Sequence, residues 1–305
     1  MTRVVVAGAG GGVGASVVFN LLVSPLACEV VMVDAHQNML HSHLWDLEQV
    51  LEQVPPAPGA SVRAGALDDI ETADVLVVCA AAPLTVNTSR MVYLQDNAAI
   101  LAPLLDRVAD GWPGTVVLVT NPVDPLCTWA QRRTGLARER LLGYTLNDSL
   151  RLRTGIGRVL HVAPGRVRAW MVGEHGDLAV PLWDRVAVDG EPAVLDEAAR
   201  SAALEFVGGW YVRHVALDSR RSSTWTSGLG ISRMVRACVD GDAEEPWPAS
   251  IMLAGEYGMD GVSLSVPVRL GAGGARRIEN WELTAAQLEA LHPAAEFVRQ
   301  AADGL

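Results

Sequence analysis

Half of the 305 residues are hydrophobic and 19% are charged, which suits one two-layered enzyme or two modest domains and excludes a disordered chain. A net charge of −11 argues against nucleic acid or an anionic membrane as partner, and all 24 basic residues are arginine, a genomic bias without chemical meaning. Cys28, Cys79, Cys127 and Cys238 have no CxxC or Cys/His spacing, so neither a metal site nor a disulfide frame is expected, and reduced thiols point to the cytoplasm.

The chain opens on a strand at residues 3–7 with no basic leader before it, and no run approaches the roughly 20 apolar residues that span a bilayer. Neither secretion nor insertion is expected. Gly8-Ala9-Gly10-Gly11-Gly12-Val13-Gly14 then turns into an apolar helix through about Leu22. Gly8, Gly11 and Gly14 follow a GxxGxxG spacing, in which absent side chains let backbone and pyrophosphate approach at a helix N-terminus. Residues 30–34 read as a second strand ending in Asp34, about 20 residues past the last glycine, where a carboxylate can bind ribose hydroxyls; a helix cap is the competing reading. No arginine follows closely to receive a 2′-phosphate.

Residues 39–54 have helical spacing of Leu40, Leu44, Leu47 and Leu51, and Pro55-Pro56-Ala57-Pro58-Gly59 ends that helix. Strands are expected at 62–66 and 74–82, the second apolar throughout, as in a strand covered on both faces. A loop over 83–89, a helix over about 90–109 and a strand over 115–119 follow, the last ending in Thr120-Asn121-Pro122-Val123-Asp124. Ligands in such folds sit beyond the carboxyl ends of parallel strands, where Asn121 would stand; a plain turn residue is the alternative.

Past Leu141-Leu142-Gly143 the composition shifts to an arginine-rich helix and alternating strands, among them 167–172 and 185–188, which sets a domain boundary near 144. Long helices are expected at 196–213 and from Ser222-Ser223-Thr224-Trp225 toward Val239. Antiparallel strands at 251–256, 263–270 and 277–281 precede a closing helix over 284–302 with Thr284 as N-cap. Within this half, Gly173-Glu174-His175-Gly176-Asp177 sets a histidine between glycines and acids directly after Ala169-Trp170-Met171-Val172. An imidazole at a strand end is an acid/base candidate once a partner orients it, and otherwise a solvated turn histidine.

Together with Asn147-Asp148-Ser149-Leu150-Arg151-Leu152-Arg153 and Ser89-Arg90, these stretches resemble the lactate/malate dehydrogenase family of NAD-dependent 2-hydroxy acid dehydrogenases nearly end to end. The resemblance implies a Rossmann doubly wound parallel sheet over 1–144 followed by an α+β catalytic domain over 145–305. It implies NAD held by Gly8, Gly11, Gly12, Val13, Gly14, Asp34, Asn97 and Asn121. His175 becomes the proton donor, Asp148 its orienting carboxylate, Arg90 the loop residue that polarises the carbonyl, and Arg151 the fork for the substrate carboxylate. Asn121, Leu84 and Ser223 complete the substrate site, and no metal is called for. The helix over 39–54 resembles the one that packs across the family's subunit interface, so a homodimer or homotetramer is expected, with core packing inside one subunit as the other reading.

Three departures bear on the substrate. Six residues before Arg90, where malate dehydrogenases carry a second arginine and lactate dehydrogenases often a glutamine, stands Leu84. A leucine cannot pair with a second carboxylate, and burying that charge unpaired costs on the order of several kcal/mol. Thr85-Val86-Asn87-Thr88 lacks the family's proline and glycine, so closure of the loop over 83–89 is expected to differ, and the segment before Asp148 is one residue shorter, with Tyr144 where small residues are common. The expected substrate is a 2-oxo or 2-hydroxy acid with an apolar or unusual side chain. The alternatives are malate dehydrogenase with a relocated cation and a non-catalytic NAD-binding sensor.

Overall fold

The structure, a computed structural model, describes residues 2–305 apart from 27, 55, 56, 58, 86–88, 109, 110, 220, 242–244 and the side chain of Arg90. In chain order the first half comprises β1 (Thr2–Ala7), α1 (Gly12–Leu22), β2 (Cys28–Val33), α2 (Gln37–Gln53), β3 (Ser61–Ala64), β4 (Val75–Val78), α3 (Leu94–Leu105), β5 (Thr115–Leu118), α4 (Val123–Thr134) and β6 (Leu141–Tyr144). The second half adds α5 (Leu146–Val159), β7 (Val167–Arg168), β8 (Met171–Gly173), β9 (Ala179–Pro181), β10 (Ala187–Val188), β11 (Glu191–Pro192), α6 (Glu197–Ala216), α7 (Thr224–Asp240), β12 (Trp247–Ala254), β13 (Asp260–Gly271), β14 (Gly274–Ile278) and α8 (Ala285–Asp303).

The main sheet runs β3-β2-β1-β4-β5-β6-β12-β13-β8-β9, with β14 on β13. Strands β3 to β6 are parallel; β12, β13, β8 and β9 continue the same sheet antiparallel. Successive side chains of a strand point to opposite faces, and here each face has its own core. Val4, Val6, Val30, Met32, Val75 and Val77 join the cluster under α1, α2 and α7, whereas Val5, Ala7, Val31, Val33, Leu76 and Val78 join that under α3 and α4. Burial on both faces is why these strands read as unbroken apolar runs. Between β1 and β4 the strand order reverses, which opens a crevice at their carboxyl ends. Gly8 leaves β1 there, Cys79 leaves β4, and Thr120-Asn121 follows β5.

Several expected elements are reshaped by long-range pairing. The run 167–172 is two strands, because β7 pairs with β10 in a separate three-stranded sheet while β8 pairs with β13 in the main one. Ala169 and Trp170 make the crossing, and the Trp170 ring meets Trp281 edge-on at 4.9 Å. Trp281 accordingly lies outside β14, and the expected strand over 185–188 keeps only β10 after a 3-10 turn. The segment expected as helix from residue 90 begins as a 3-10 turn, Arg90–Tyr93, where Ser89 Oγ accepts from the Met91 amide; the expected end at 109 lies outside the described residues. In α2, Leu40, Leu44 and Leu47 are buried within this chain while Met39 and Trp45 project from it. Thr284 caps α8 in a reciprocal box with Gln287. Among the described residues no helix is long and apolar enough to cross a membrane, and the four cysteines are free.

Two glycines separate close approach from mere helix interior. A Cβ on Gly14 would lie 2.2 Å from the Gly8 carbonyl oxygen, whereas a Cβ on Gly208, inside α6, would meet nothing within 4 Å. We therefore expect Gly208→Ala to stabilise by about 0.5–1 kcal/mol through helix propensity and Gly14→Ala to destabilise by about 1–3 kcal/mol through overpacking. Urea unfolding of both variants checks this, and changes of the same sign would refute it.

Candidate active site

The crevice at the switch point and an adjoining cavity of about 190 Å³ share Val13 and Leu84 as wall residues. The glycine turn builds the crevice. Gly8 has φ +85°, donates its amide to Val33 O at 2.8 Å, and passes so close to the chain leaving β4 that a Cβ would lie 2.4 Å from Ala80 N. Gly11 and Gly12 are under less pressure from the protein, since a Cβ added at either would find its nearest atom 3.4 and 3.2 Å away respectively, so their bareness leaves room on the crevice side. Helix α1 starts there with no side-chain cap at Gly11 and no acid in its first turn. Its first amides have no intrahelical acceptor and carry the positive end of the helix dipole. Asp34 follows β2 and accepts from Gly10 N and His36 N, both at 2.8 Å. The N-cap of α2 is His36, so Asp34 is not the helix cap. An uncapped helix N-terminus for a pyrophosphate and a carboxylate for ribose hydroxyls fit the NAD(H) that the sequence resemblance implies.

In the adjoining cavity, Asn97 on α3 ties two loops together, accepting from Ala82 N at 2.7 Å and donating to Asn121 O at 2.6 Å. Asn121 precedes a cis peptide to Pro122, and its buried Oδ1 has no hydrogen-bond partner among the described residues.

His175 leaves β8 through Gly173, whose φ of +94° turns the chain. It is 7% exposed as a residue, its ring Nδ1 is bonded to Asp148 Oδ2, and its amide donates to Asp124 Oδ2 at 2.6 Å. Asp148 stands in the first turn of α5 and, through Oδ1, accepts from Arg151 at 3.1 Å one helical turn away. Arg151 also donates to Ser223 Oγ at 3.4 Å, and its Cζ lies 4.0 Å from the Trp210 ring centre. Imidazole, carboxylate and guanidinium thus form one chain, and its two ends, His175 and Arg151, line the cavity with Ser223 and Leu84. Leu84 is 42% exposed. Residues 86–88 of the loop and the Arg90 side chain lie outside the described residues.

Sequence reasoning gave no role to Asn147, Ser227 and Trp210 on this wall or to Asp124 behind His175, and it flagged Tyr144 only as a departure. Tyr144, buried so that its hydroxyl pKa is pushed up, donates to Asn147 Oδ1 at 3.1 Å, and Asn147 Nδ2 donates to Ser227 Oγ at 2.9 Å. The large residue fits before α5 because α7 carries Gly230 opposite it, where a Cβ would lie 2.0 Å from the Tyr144 hydroxyl. The i, i+4 spacings of Asn147 with Arg151 and Ser223 with Ser227 are the available signal. Asp124, which reads in the sequence only as part of a turn, is fully buried; burial, reinforced by the charge of Glu174, raises its pKa from the ordinary 3.8 to about 8. Trp210, on α6, carries no motif.

The chain is similar along its length to proteins of one family. Residues 2–143 match the model of the lactate/malate dehydrogenase NAD binding domain, and residues 145–303 that of the family's alpha/beta C-terminal domain. An L-lactate dehydrogenase of Gloeobacter violaceus is 30% identical over 97% of this chain and 91% of its own length. A malate dehydrogenase of Halobacterium salinarum is 31% identical over 97% of each. The crystal structure of a minor L-lactate dehydrogenase from Enterococcus mundtii superposes with a TM-score of 0.88 at 25% identity, covering 100% of this chain and 98% of that one. With both family domains matched along the length of the chain, it belongs to the lactate/malate dehydrogenase family, NAD-dependent oxidoreductases acting between 2-hydroxy and 2-oxo acids.

Proposed function

We propose that this enzyme reduces a 2-oxo acid of apolar side chain through His175, Asp148 and Arg151, and the observation that carries the reading is the continuous imidazole–carboxylate–guanidinium chain whose two ends, His175 and Arg151, line one cavity. Residues 1–144 hold NAD(H) through Gly8, Gly11, Gly12, Val13, Gly14, Asp34, Asn97 and Asn121, and residues 145–305 supply the chemistry.

When bound, NADH supplies hydride to the substrate carbonyl carbon. Arg151 takes the substrate carboxylate on its planar fork, with Ser223 beside it. His175, protonated, gives its proton to the carbonyl oxygen as the hydroxyl forms. Asp148 stabilises the imidazolium and fixes the plane of the ring. Asn121 offers a buried acceptor in the same cavity. Arg90 is assigned to the carbonyl oxygen on the family resemblance alone, as the residue that closes with the loop. Asp124 stays neutral beneath the His175 amide, so His175 and Asp148 face one negative charge fewer.

Leu84 sets the side-chain preference. An apolar 2-oxo acid gains about 0.8 kcal/mol per buried methylene against it, whereas oxaloacetate strands a carboxylate. One observation favours a second reading, malate dehydrogenase with a relocated cation: Arg221 lines the same cavity from the segment before α7.

Three measurements test this. His175→Asn should lower turnover by about 10²–10⁴-fold while NADH binding, followed by fluorescence, stays near wild type; a mutant that keeps a large share of the rate identifies another proton donor. Values of kcat/KM for 2-oxobutyrate and oxaloacetate should favour the first in the wild type, and Leu84→Arg should shift preference to the second. Efficient reduction of oxaloacetate that survives Leu84→Arg but collapses in Arg221→Leu would instead establish the relocated cation. For Asp124 the folded pKa is raised, so its contribution to stability is whole below 3.8 and is lost as pH rises through about 8. Asp124→Asn keeps a neutral acceptor for the His175 amide and removes that loss. The Tm advantage of the variant should therefore grow with pH across this window; parallel Tm curves would show that Asp124 is not held protonated.

A further inference from the structure

Outside the chain of residues already assigned, the cavity has one wall of a different kind. Helix α6 has a single buried residue, Ala203, and reaches the cavity only near its C-terminal end. It is held to α5 by a close approach at Gly155, where a Cβ would lie 2.8 Å from Ala203 O, and by arginines of α5 lying on aromatic rings of α6. Arg158 lies on Phe206 at 4.4 Å and Arg151 on Trp210 at 4.0 Å. The first of these arginines is exposed; the Arg151 side chain is only 12% accessible and lines the cavity with Trp210.

The same indole is stacked on the imidazole of His214, one helical turn further along α6, with ring centres 4.7 Å apart and planes 11° from parallel. His214 Nε2 pairs with the backbone oxygen of Arg221 at 2.6 Å, and two residues later Ser223 Oγ accepts from Arg151 at 3.4 Å. A closed ring of contacts therefore runs from Arg151 through Trp210, His214 and the segment before α7 back to Arg151.

We propose that Trp210 is a positioning residue for the substrate carboxylate: its indole holds the Arg151 guanidinium plane so that the fork presents its edge to the cavity, and His214 braces the indole. The proposal rests on Arg151 being the carboxylate-binding residue. A guanidinium is weakly hydrated and planar, so an aromatic face supports it without using any of its N–H donors. Two parallel hydrogen bonds to a carboxylate require that plane to be fixed, since a rotated fork can offer only one. The carboxylate of any 2-oxo acid is recognised in this way whatever its side chain, so Trp210 contributes to binding of the class and not to choice within it.

Steady-state kinetics with 2-oxobutyrate and with pyruvate, alongside NADH binding by fluorescence, test this in Trp210→Leu, Trp210→Phe, Phe206→Leu and Arg151→Gln. Trp210→Leu should raise KM for both acids by about tenfold, the scale of a lost desolvated cation–π contact, with NADH affinity unchanged. Trp210→Phe, which keeps an aromatic face, should recover KM to within about threefold of wild type, and Phe206→Leu, which removes the neighbouring stack away from the cavity, should leave KM alone. Unchanged KM in Trp210→Leu while Arg151→Gln raises it would overturn the proposal and leave the role of Arg151 standing. Equal effects of Trp210→Leu and Phe206→Leu would reduce Trp210 to a structural contact of α6. Unchanged KM in Arg151→Gln would overturn the assignment of Arg151 and the proposal with it.

Discussion

The Asp148 carboxylate receives the His175 imidazole on one oxygen and the Arg151 guanidinium on the other, in a region from which water is nearly excluded. Desolvating such a group costs several kcal/mol, as an order of magnitude, and is offset only when both oxygens are engaged with good geometry. Its place in the first turn of α5 adds the favourable end of a helix dipole. The two partners cannot come from one element. Arg151 is supplied by the next turn of the same helix, but His175 must arrive from the end of β8, and β8 reaches it only because β12, β13 and β8 extend the parallel sheet past β6 in antiparallel sense. The mixed sheet is thus a requirement of the site: a purely parallel sheet ending at β6 would leave Asp148 without its imidazole.

Where local pattern and tertiary demand coincide, the sequence is readable. The valine-rich runs of β1, β2 and β4 are apolar on both faces because each face meets its own core, and that alone makes them continuous to the eye. Gly8 and Gly14 are legible because a Cβ at either would collide with backbone nearby in the fold. Thr284 and Gln287 announce α8 through a capping box that needs nothing outside four residues. Legibility fails where one apolar run serves two partners. Nothing within residues 167–172 says that β7 belongs to β10 and β8 to β13; only the partner strands decide it, and they lie in other parts of the chain.

The same distinction divides the site. His175, Asp148 and Arg151 stand in short stretches with their own signatures, and the structure joins all three through Asp148, with His175 and Arg151 lining one cavity. Tyr144 reads as a misfit before Asp148, and it is accommodated by Gly230 on α7, a residue with no local sign of that purpose. Asp124 reads as a turn residue, yet its oxygen holds the His175 amide. Trp210 lies in a helix of ordinary composition, and its contact with Arg151 is fixed by how α6 crosses α5. Each of these is a pairing between distant segments, and a single sequence records one member of a pair at a time.

Charge explains why the buried acids are treated unequally. Asp124, Asp148 and Glu174 crowd one neighbourhood, and the charges of Glu174 and Asp148 both disfavour an ionised Asp124. Asp148 has the His175 imidazole on one oxygen and the Arg151 guanidinium on the other. Asp124 is wholly buried and has the His175 amide, a neutral donor, so burial, reinforced by the charge of Glu174, outweighs its hydrogen bonds and raises its pKa to about 8. The neutral Asp124 then performs a mechanical task that an ionised one would perform at greater electrostatic cost: it pins the backbone of His175 while leaving the ring to answer to Asp148. That division, one acid holding the main chain and another the side chain, is what lets the imidazole sit at a fixed angle to the cavity.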